Sequence, residues 1–409
     1  MKLAKIDRDI AQIRILNSMR AFNLADDYFT YGHNSYHDVK YYHTLTNLAV
    51  TCCTNLPAYY NNYQDIFGDD RNFINTLIFD ALEQKGLFEY AEDIQRTALT
   101  DSYLRYILMF LHPLDNIYGA YNFCTAEGSK DNAMLHWDGG AAHLIGSREG
   151  QAGSDEGILM HKLIRNMCNM FGTCDNYDLI LLLKQGKNQI HVGNCDYLLD
   201  TVQKIETLLQ ITLIQNMLRY AVKGDLVHDD ITVARGYAAA GAVIPLLYTN
   251  NTDQTNIETS IRTISFEMRF RANDDATPTK AARVFYAMKT AIHGYSGISC
   301  DEVGSFEGFG DICPVKADPM DENDGVNQAK EPEIADTSST SETFAPEITT
   351  IPPHVIQQQI VPPHNIQLDN GEYPLAGGRY IATTTGIANR LVISIFLTNF
   401  LLTFLLLQG

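Results

Sequence analysis

The sequence predicts an all-α protein: two pseudo-repeated helical bundles forming one body, then a disordered stalk and a C-terminal hydrophobic anchor. Three observations carry this. Apolar residues recur at helical spacing over long runs, with few strand signals. Glycine and proline fall between those runs rather than within them. After about residue 315 the periodicity stops and Pro, Ser, Thr, Glu and Asp take over. The expected segments are 1–19 as an N-terminus of uncertain status, 20–195 and 196–315 as the two helical halves, 316–378 as stalk and 379–409 as anchor.

Taken in order, Met1–Met19 interleaves Lys5, Asp7, Arg8, Asp9 and Arg14 with aliphatic residues. That is an amphipathic helix, not a secretory leader, which has a basic start and then roughly 7–15 apolar residues. Ile74, Leu77, Ile78, Ala81 and Leu82 form one apolar stripe; Leu104, Ile107, Leu108 and Leu111 form a second, expected to stop at Pro113. Leu159, Leu163, Ile164, Met167 and Met170 form a third. Val202, Ile205, Leu208, Leu209, Leu213, Met217 and Leu218 form a long fourth, and Ala281–Ile292 a fifth. A weak internal repeat relates Tyr103-Leu104-Arg105-Tyr106 to Met217-Leu218-Arg219-Tyr220, and the small-residue run from Gly139 to that from Gly236. A cleft between two such bundles is a place for a ligand.

Leu391–Leu407 is almost wholly apolar and as a helix would reach about 25 Å, just short of a typical hydrocarbon core. The small triplet Ala376-Gly377-Gly378 lies upstream, separated from it by the mainly polar stretch Arg379–Arg390. This is the layout of a GPI signal with attachment at Ala376; the rival is a single tail-anchoring helix. Either tethers the body to a membrane on the extracellular face. A GPI signal needs a secretory entry, so the reading also expects the start to be incomplete.

The net charge is −19, of which residues 301–350 carry −11. The body is therefore only mildly acidic, and the acids of the tail read as solvated chain. Nucleic acid is excluded as the main partner, because a phosphate binder shows a basic footprint. Eight cysteines, Cys52, Cys53, Cys124, Cys168, Cys174, Cys195, Cys300 and Cys313, include no C-x-x-C pair and fit disulfides in an oxidising compartment. Cys168 with Cys174 or Cys195, and Cys300 with Cys313, are the local candidates. Asn250 begins a glycosylation sequon.

No P-loop, dinucleotide fingerprint, H-E-x-x-H or nucleophile elbow is present. Three clusters could carry chemistry. In the first, His33, His37 and Tyr41 share a face if the segment is helical, with Tyr31 beside them; imidazole and phenolate are both metal ligands. A turn at Gly32 and Asn34-Ser35 is the structural alternative. In the second, His136 and His143 share a helix face seven residues apart, near Glu127, Trp137 and Asp138. Gly146-Ser147-Arg148-Glu149-Gly150 follows; Glu149 could join a cation site and Arg148 could hold an anion such as carbonate. A capping loop is the alternative. The third, His228-Asp229-Asp230 with Arg235 and Tyr237, occupies the repeat-equivalent position, with a solvated loop as its alternative.

Four segments together resemble a known family: Tyr28–Ser35; Trp137-Asp138 with Gly146, Ser147, Glu149 and Gly150; Cys168, Phe171 and Cys174; and Ile214-Gln215 with Leu218–Ala221. They look like the algal low-iron-inducible periplasmic proteins, a group related to the diatom phytotransferrins. The resemblance covers roughly residues 20–295. It implies a non-enzymatic cell-surface protein of iron acquisition that binds ferric iron, with carbonate as synergistic anion and a surface reductase or transporter as partner. Asp138, Ser147 and Glu149 carry over as motif matches. In the first segment either Tyr28 or Tyr31 is the functional tyrosine, with Tyr31 preferred, and the histidines come from the residue spacing and not from the resemblance. The expected metal ligands are then Tyr31, His33, His37, His136, Asp138, His143 and Glu149, and the expected anion-binding residues are Ser147, Arg148 and Arg235. Two rivals stand beside this reading: a surface hydrolase, for which no nucleophile–base spacing is found, and an adhesion or wall protein without metal, which stalk and anchor suit equally.

Overall fold

The computed structural model describes residues 3–35, 43–68, 71–126, 130–149, 156–174, 178–227, 229–248, 254–270, 281–293, 298–306 and 310–311. The chain divides into two compact units, Met1–Asp324 and Gly325–Gly409, and every described residue belongs to the first. The stalk, the anchor, Ala376, Asn250, His37, Tyr41, His228 and Cys313 lie outside the described residues.

The described part is all-α. Its helices are α1 (Ile6–Ser18), α2 (Phe22–Tyr31), α3 (Leu45–Thr51), α4 (Asn61–Ile66), α5 (Phe73–Glu83), α6 (Asp93–Tyr103), α7 (Met109–Thr125) and α8 (Lys130–Ile145). There follow α9 (Met160–Phe171), α10 (Leu179–Val192), α11 (Leu198–Leu226), α12 (Asp230–Leu247), α13 (Gln254–Glu267), α14 (Ala281–His293) and α15 (Cys300–Val303). Beyond them, Ser305–Phe306 pairs antiparallel with Gly310–Asp311. One apolar core runs through the helices.

The apolar stripes become the buried faces. Ile74, Leu77, Ile78, Ala81 and Leu82 of α5 are buried, as is each of the seven apolar positions read along α11. The third stripe ends one residue early, because Met170 faces solvent. Pro113 does not end its helix but lies inside α7. The physical reason sits just upstream. Leu104–Leu108 forms a π-helical turn, and Met109 leaves helical geometry at φ −79°, ψ 3°. A proline ring clashes with the carbonyl four residues before it. Here that carbonyl belongs to Met109, where the register is already distorted.

α7 and α8 form an antiparallel hairpin. Going up α7 the contacts go down α8: Gly140 faces Pro113 and Ile117, whereas Gly119 faces His136. α11 and α12 form a second hairpin, and α11 also packs on α7, α9, α10 and α14. α12 is long and apolar enough to cross a membrane by length and composition, yet 61% of that window is buried inside the fold, as befits a core helix.

The only tryptophan, Trp137, is core. Its Nε1 donates to the Leu183 carbonyl at 3.0 Å, and its six-membered ring closely approaches Gly186 of α10. A Cβ at Gly186 would overlap ring carbons Cζ2 and Cη2. Gly186→Ala is therefore expected to destabilise by about 1–3 kcal/mol through overpacking, although alanine is the better helix former. Urea unfolding measures it; an unchanged midpoint would refute the close approach.

Among the described residues three disulfides are present: Cys52–Cys53, Cys124–Cys195 and Cys168–Cys174. Cys168 thus takes the nearer of its two expected partners. Cys195 instead joins the 3₁₀ turn before α11 to the end of α7, across 71 residues of chain. Cys300 pairs with no described residue.

Candidate functional site

Two of the motif segments close on the N-terminal helix. α1 buries the carboxylates of Asp7 and Asp9. Asp9 Oδ1 accepts from the backbone N–H of His33 (3.2 Å) and Asn34 (2.9 Å) and from Asn34 Nδ2 (2.8 Å). Its Oδ2 accepts from the Ser35 N–H (3.0 Å) and the Ser35 hydroxyl. Asp7 accepts from Ser147 Oγ (2.8 Å) and the Arg148 N–H (2.6 Å), while Arg8 Nε donates to Ser147 (3.2 Å). Gly146 turns this loop at φ +82°, and any side chain there would meet Asp7. Successive backbone N–H groups in such turns bind anions, and here the anions are the chain's own carboxylates.

This arrangement decides where the expected ligands lie. α2 ends at Tyr31, so His33 stands in a turn and not on a helical face; its ring rests 4.2 Å from that of Tyr28. Tyr31 is 66% exposed. Asp138 pairs with Lys187 of α10 at 2.8 Å. Glu149 is buried, 3.3 Å from both His161 and Arg165 of α9. Arg235 reaches Asp101 of α6 at 4.0 Å. Tyr31, Asp138 and Glu149 therefore each stand in separate surroundings.

His136 and His143 do share the face of α8 that meets α7. His136 stacks on Phe123 with centroids 4.8 Å apart, and His143 meets His112 at 5.2 Å. His143 is fully buried, and neither of its ring nitrogens has a hydrogen-bond partner among the described residues. Burial, then the neighbouring His112 and His43, holds its pKa well below the usual imidazole value. His112 is pushed down to about 4 by burial, with His43 and His136 adding to it and a Leu48 backbone bond opposing. Both rings are neutral at pH 7.

A further set of hard oxygen donors lies elsewhere. Glu206 of α11 is buried and accepts from two phenols: Tyr60 Oη at 2.8 Å on Oε1, and Tyr118 Oη of α7 at 2.5 Å on Oε2. Gln210, one turn further along α11, donates to Glu206 Oε1 (3.1 Å) and to Tyr60 Oη (3.3 Å). α7 also fixes the loop that carries Tyr60. Asp115, three residues before Tyr118, accepts from the Asn55 N–H at 2.6 Å. Burial raises the Asp115 pKa, and the Asn55 backbone and side chain with the Cys53 and Leu56 backbones offset part of the rise. Beside Tyr60 lies a cavity of about 10 Å³, lined by Cys53, Leu56, Pro57, Tyr63 and Leu111 among others. That is room for a single water or ion.

The Glu206 cluster was not among the expected sites. Its sequence signal is a carboxylate and an amide, Glu206 and Gln210, at helical spacing inside the apolar stripe of α11. A charged residue on a buried face needs partners. The two tyrosines that supply them are 146 and 88 residues away.

Among the described residues, no three His, Cys, Asp or Glu side chains are grouped as metal ligands. No family model, curated protein or solved structure matches the chain.

Proposed function

We propose that this chain is a non-enzymatic, ferric-iron-binding protein of the cell surface, acting in iron acquisition, and that Tyr60, Tyr118 and Glu206 hold the ion. The observation that carries the reading is two phenol hydroxyls converging on one buried carboxylate. Ferric iron is a hard cation that favours such oxygens. Two phenolates and one carboxylate carry three negative charges, so a bound Fe(III) leaves the buried site neutral and avoids the large cost of an uncompensated charge. The O···O separations of 2.8 and 2.5 Å already bring the three groups together.

Loading displaces the two phenol protons, so affinity rises with pH. Entry requires the Cys52–Pro57 loop to lift from Asp115. Because the three side chains already neutralise Fe(III), a synergistic carbonate would have to enter with protons or a cation of its own or displace a phenolate; a surface reductase or transporter receives the iron. In this reading the α7–α8 and α11–α12 hairpins are the cores of two related bundles. The stalk and the anchor, attached through Ala376 or as a terminal helix, hold the body at the extracellular face of the membrane.

The test is a titration of the full chain with chelated ferric iron, with and without bicarbonate. Saturation should bring a visible phenolate-to-iron absorption band, and iron at 100-fold above Kd should stabilise the fold by about 2.7 kcal/mol. Tyr118→Phe should weaken the band and Glu206→Gln should lower affinity, while both variants keep the fold through the remaining hydrogen bonds. A colourless protein at saturating ferric iron would sink the reading. The phenol–carboxylate network would then be packing alone, and the chain an adhesion or wall-interaction protein.

A further inference from the structure

The two Arg-Tyr dipeptides that the internal repeat relates meet inside the fold. Arg105-Tyr106 lies on the π-helical turn Leu104–Leu108, and Arg219-Tyr220 lies on α11. The hydroxyls of Tyr106 and Tyr220 are 3.5 Å apart. Each guanidinium stands by the ring of its own neighbour, Arg105 at 5.6 Å from Tyr106 and Arg219 at 5.3 Å from Tyr220. Arg235 of α12 interacts electrostatically with Tyr106, Tyr220, Arg105 and Asp101.

Cations outnumber anions here. Among the described residues, Asp101 is the carboxylate at the centre, and Arg14, Arg105 and Arg235 all share it, at 3.0, 3.6 and 4.0 Å. Burial alone would raise the Asp101 pKa, but the three guanidiniums outweigh burial and lower it. Arg219 has no carboxylate partner among the described residues. The Nε atoms of Arg219 and Arg235 are buried without a hydrogen-bond partner, as is the hydroxyl of Tyr103, itself 1% exposed. Lys223, one turn after Arg219, adds a further positive charge at the exposed edge. Like-signed, half-buried guanidiniums with idle donors cost stability unless something answers them.

We propose that Arg105, Arg219 and Arg235, with the hydroxyls of Tyr106 and Tyr220, form a binding site for a dianionic tetrahedral oxyanion of the phosphate or sulfate class. The chemistry fits at three points. The donors are guanidinium forks and neutral hydroxyls, which match oxyanion oxygens, and the guanidiniums repel a cation. Arg14, Arg105, Arg219, Arg235 and Lys223 against Asp101 and Asp229 leave three positive charges, which call for more than one negative charge. Arg14, Arg235 and Lys223 keep one side of the cluster in contact with solvent, which gives an anion a way in. The site is independent of the iron reading, since none of its groups belongs to the Glu206 cluster.

The experiment uses the metal-free full chain. Thermal unfolding is followed at rising inorganic phosphate or sulfate, against sodium chloride at equal ionic strength so that screening is matched. A saturable rise in Tm with either dianion, and not with chloride, is expected. Arg219→Gln and Arg235→Gln should each weaken the response by about tenfold or more. Phosphate alone acting would identify a ligand whose P–O–H donates a hydrogen bond, as sulfate cannot; both acting would identify recognition by charge and shape. Equilibrium dialysis of the wild-type chain with inorganic phosphate and with sulfate gives a stoichiometry that does not depend on either variant folding. A Tm rise equalled by chloride, a response unchanged in both variants, or dialysis without saturable binding of either anion would overturn the site. Because no iron is present, none of these outcomes bears on the visible band that tests the Glu206 cluster.

Discussion

Asp9→Ala is expected to remove about 3–5 kcal/mol of stability, a large share of the roughly 5–15 kcal/mol that holds a typical domain together. Asp9 is fully buried, and its carboxylate receives three backbone N–H groups, one amide and one hydroxyl. Alanine removes the acceptor and leaves the donors of His33, Asn34 and Ser35 without it, at about 1–3 kcal/mol for each group that stays buried, as Ser35 does. Asp9→Asn keeps one oxygen and should lose less. Asp7→Ala should lose less again, because fewer donors converge on Asp7. Urea unfolding at neutral pH gives the three values. An Asp9→Ala loss below about 1 kcal/mol would mean that the turn re-pairs with solvent and that α1 is a loose appendage. The same comparison addresses function: the turn His33–Ser35 is held here as a clamp on α1, so its substitution should act on stability.

Acid should destabilise the protein through the α7–α8 histidines. Both His112 and His143 have folded-state pKa values below the ordinary imidazole value, His112 at about 4. Between about pH 6.5 and 4 the unfolded chain therefore binds protons that the folded chain does not, and stability rises with pH across that window. The stabilisation is fully present above pH 6.5 and is lost as pH falls. For His112 the difference is on the order of 3 kcal/mol by pH 4. His43 and His136 face the pair and add repulsion once any ring is charged. Asp115, raised by burial, works in the opposite direction above its ordinary value. The contribution of the pair is isolated by comparing wild type with His143→Phe, in which one titrating ring is removed and the apolar volume is roughly kept. Wild type should lose stability steeply from pH 7 to pH 4.5, and the variant should lose it less steeply. Equal slopes would assign the acid sensitivity to the carboxylates instead.

Much of the fold was legible in the chain. The stripes of α5, α9, α11 and α14 needed only apolar residues at a period of 3.6, because burying one face of a helix is the main term that orders it. The amphipathic reading of Met1–Met19 held for the same reason. What the pattern did not contain was the role of the charges in that helix. Asp7 and Asp9 look like solvated positions until the loops at 32–35 and 146–148 are folded over them. Pro113 reads as a stop because sequence rules presume a regular helix, and the preceding π turn removes the clash those rules rely on.

The candidate sites divide along the same line. The pairing of His136 with His143 on one face of α8 followed from spacing alone, since both lie within one helix. The pairing of Arg105-Tyr106 with Arg219-Tyr220 was hinted at by their likeness, but likeness in sequence does not require contact. The convergence of Tyr60 and Tyr118 on Glu206 was not hinted at. By itself the sequence determined that the body is helical, which faces are buried and that the tail from about residue 315 has another character, because those properties depend on neighbours a few residues apart. Only the tertiary structure decided which polar groups share a partner. A carboxylate recruits phenols, guanidiniums or backbone amides by proximity in space, and proximity between residues a hundred positions apart is set by how the helices pack.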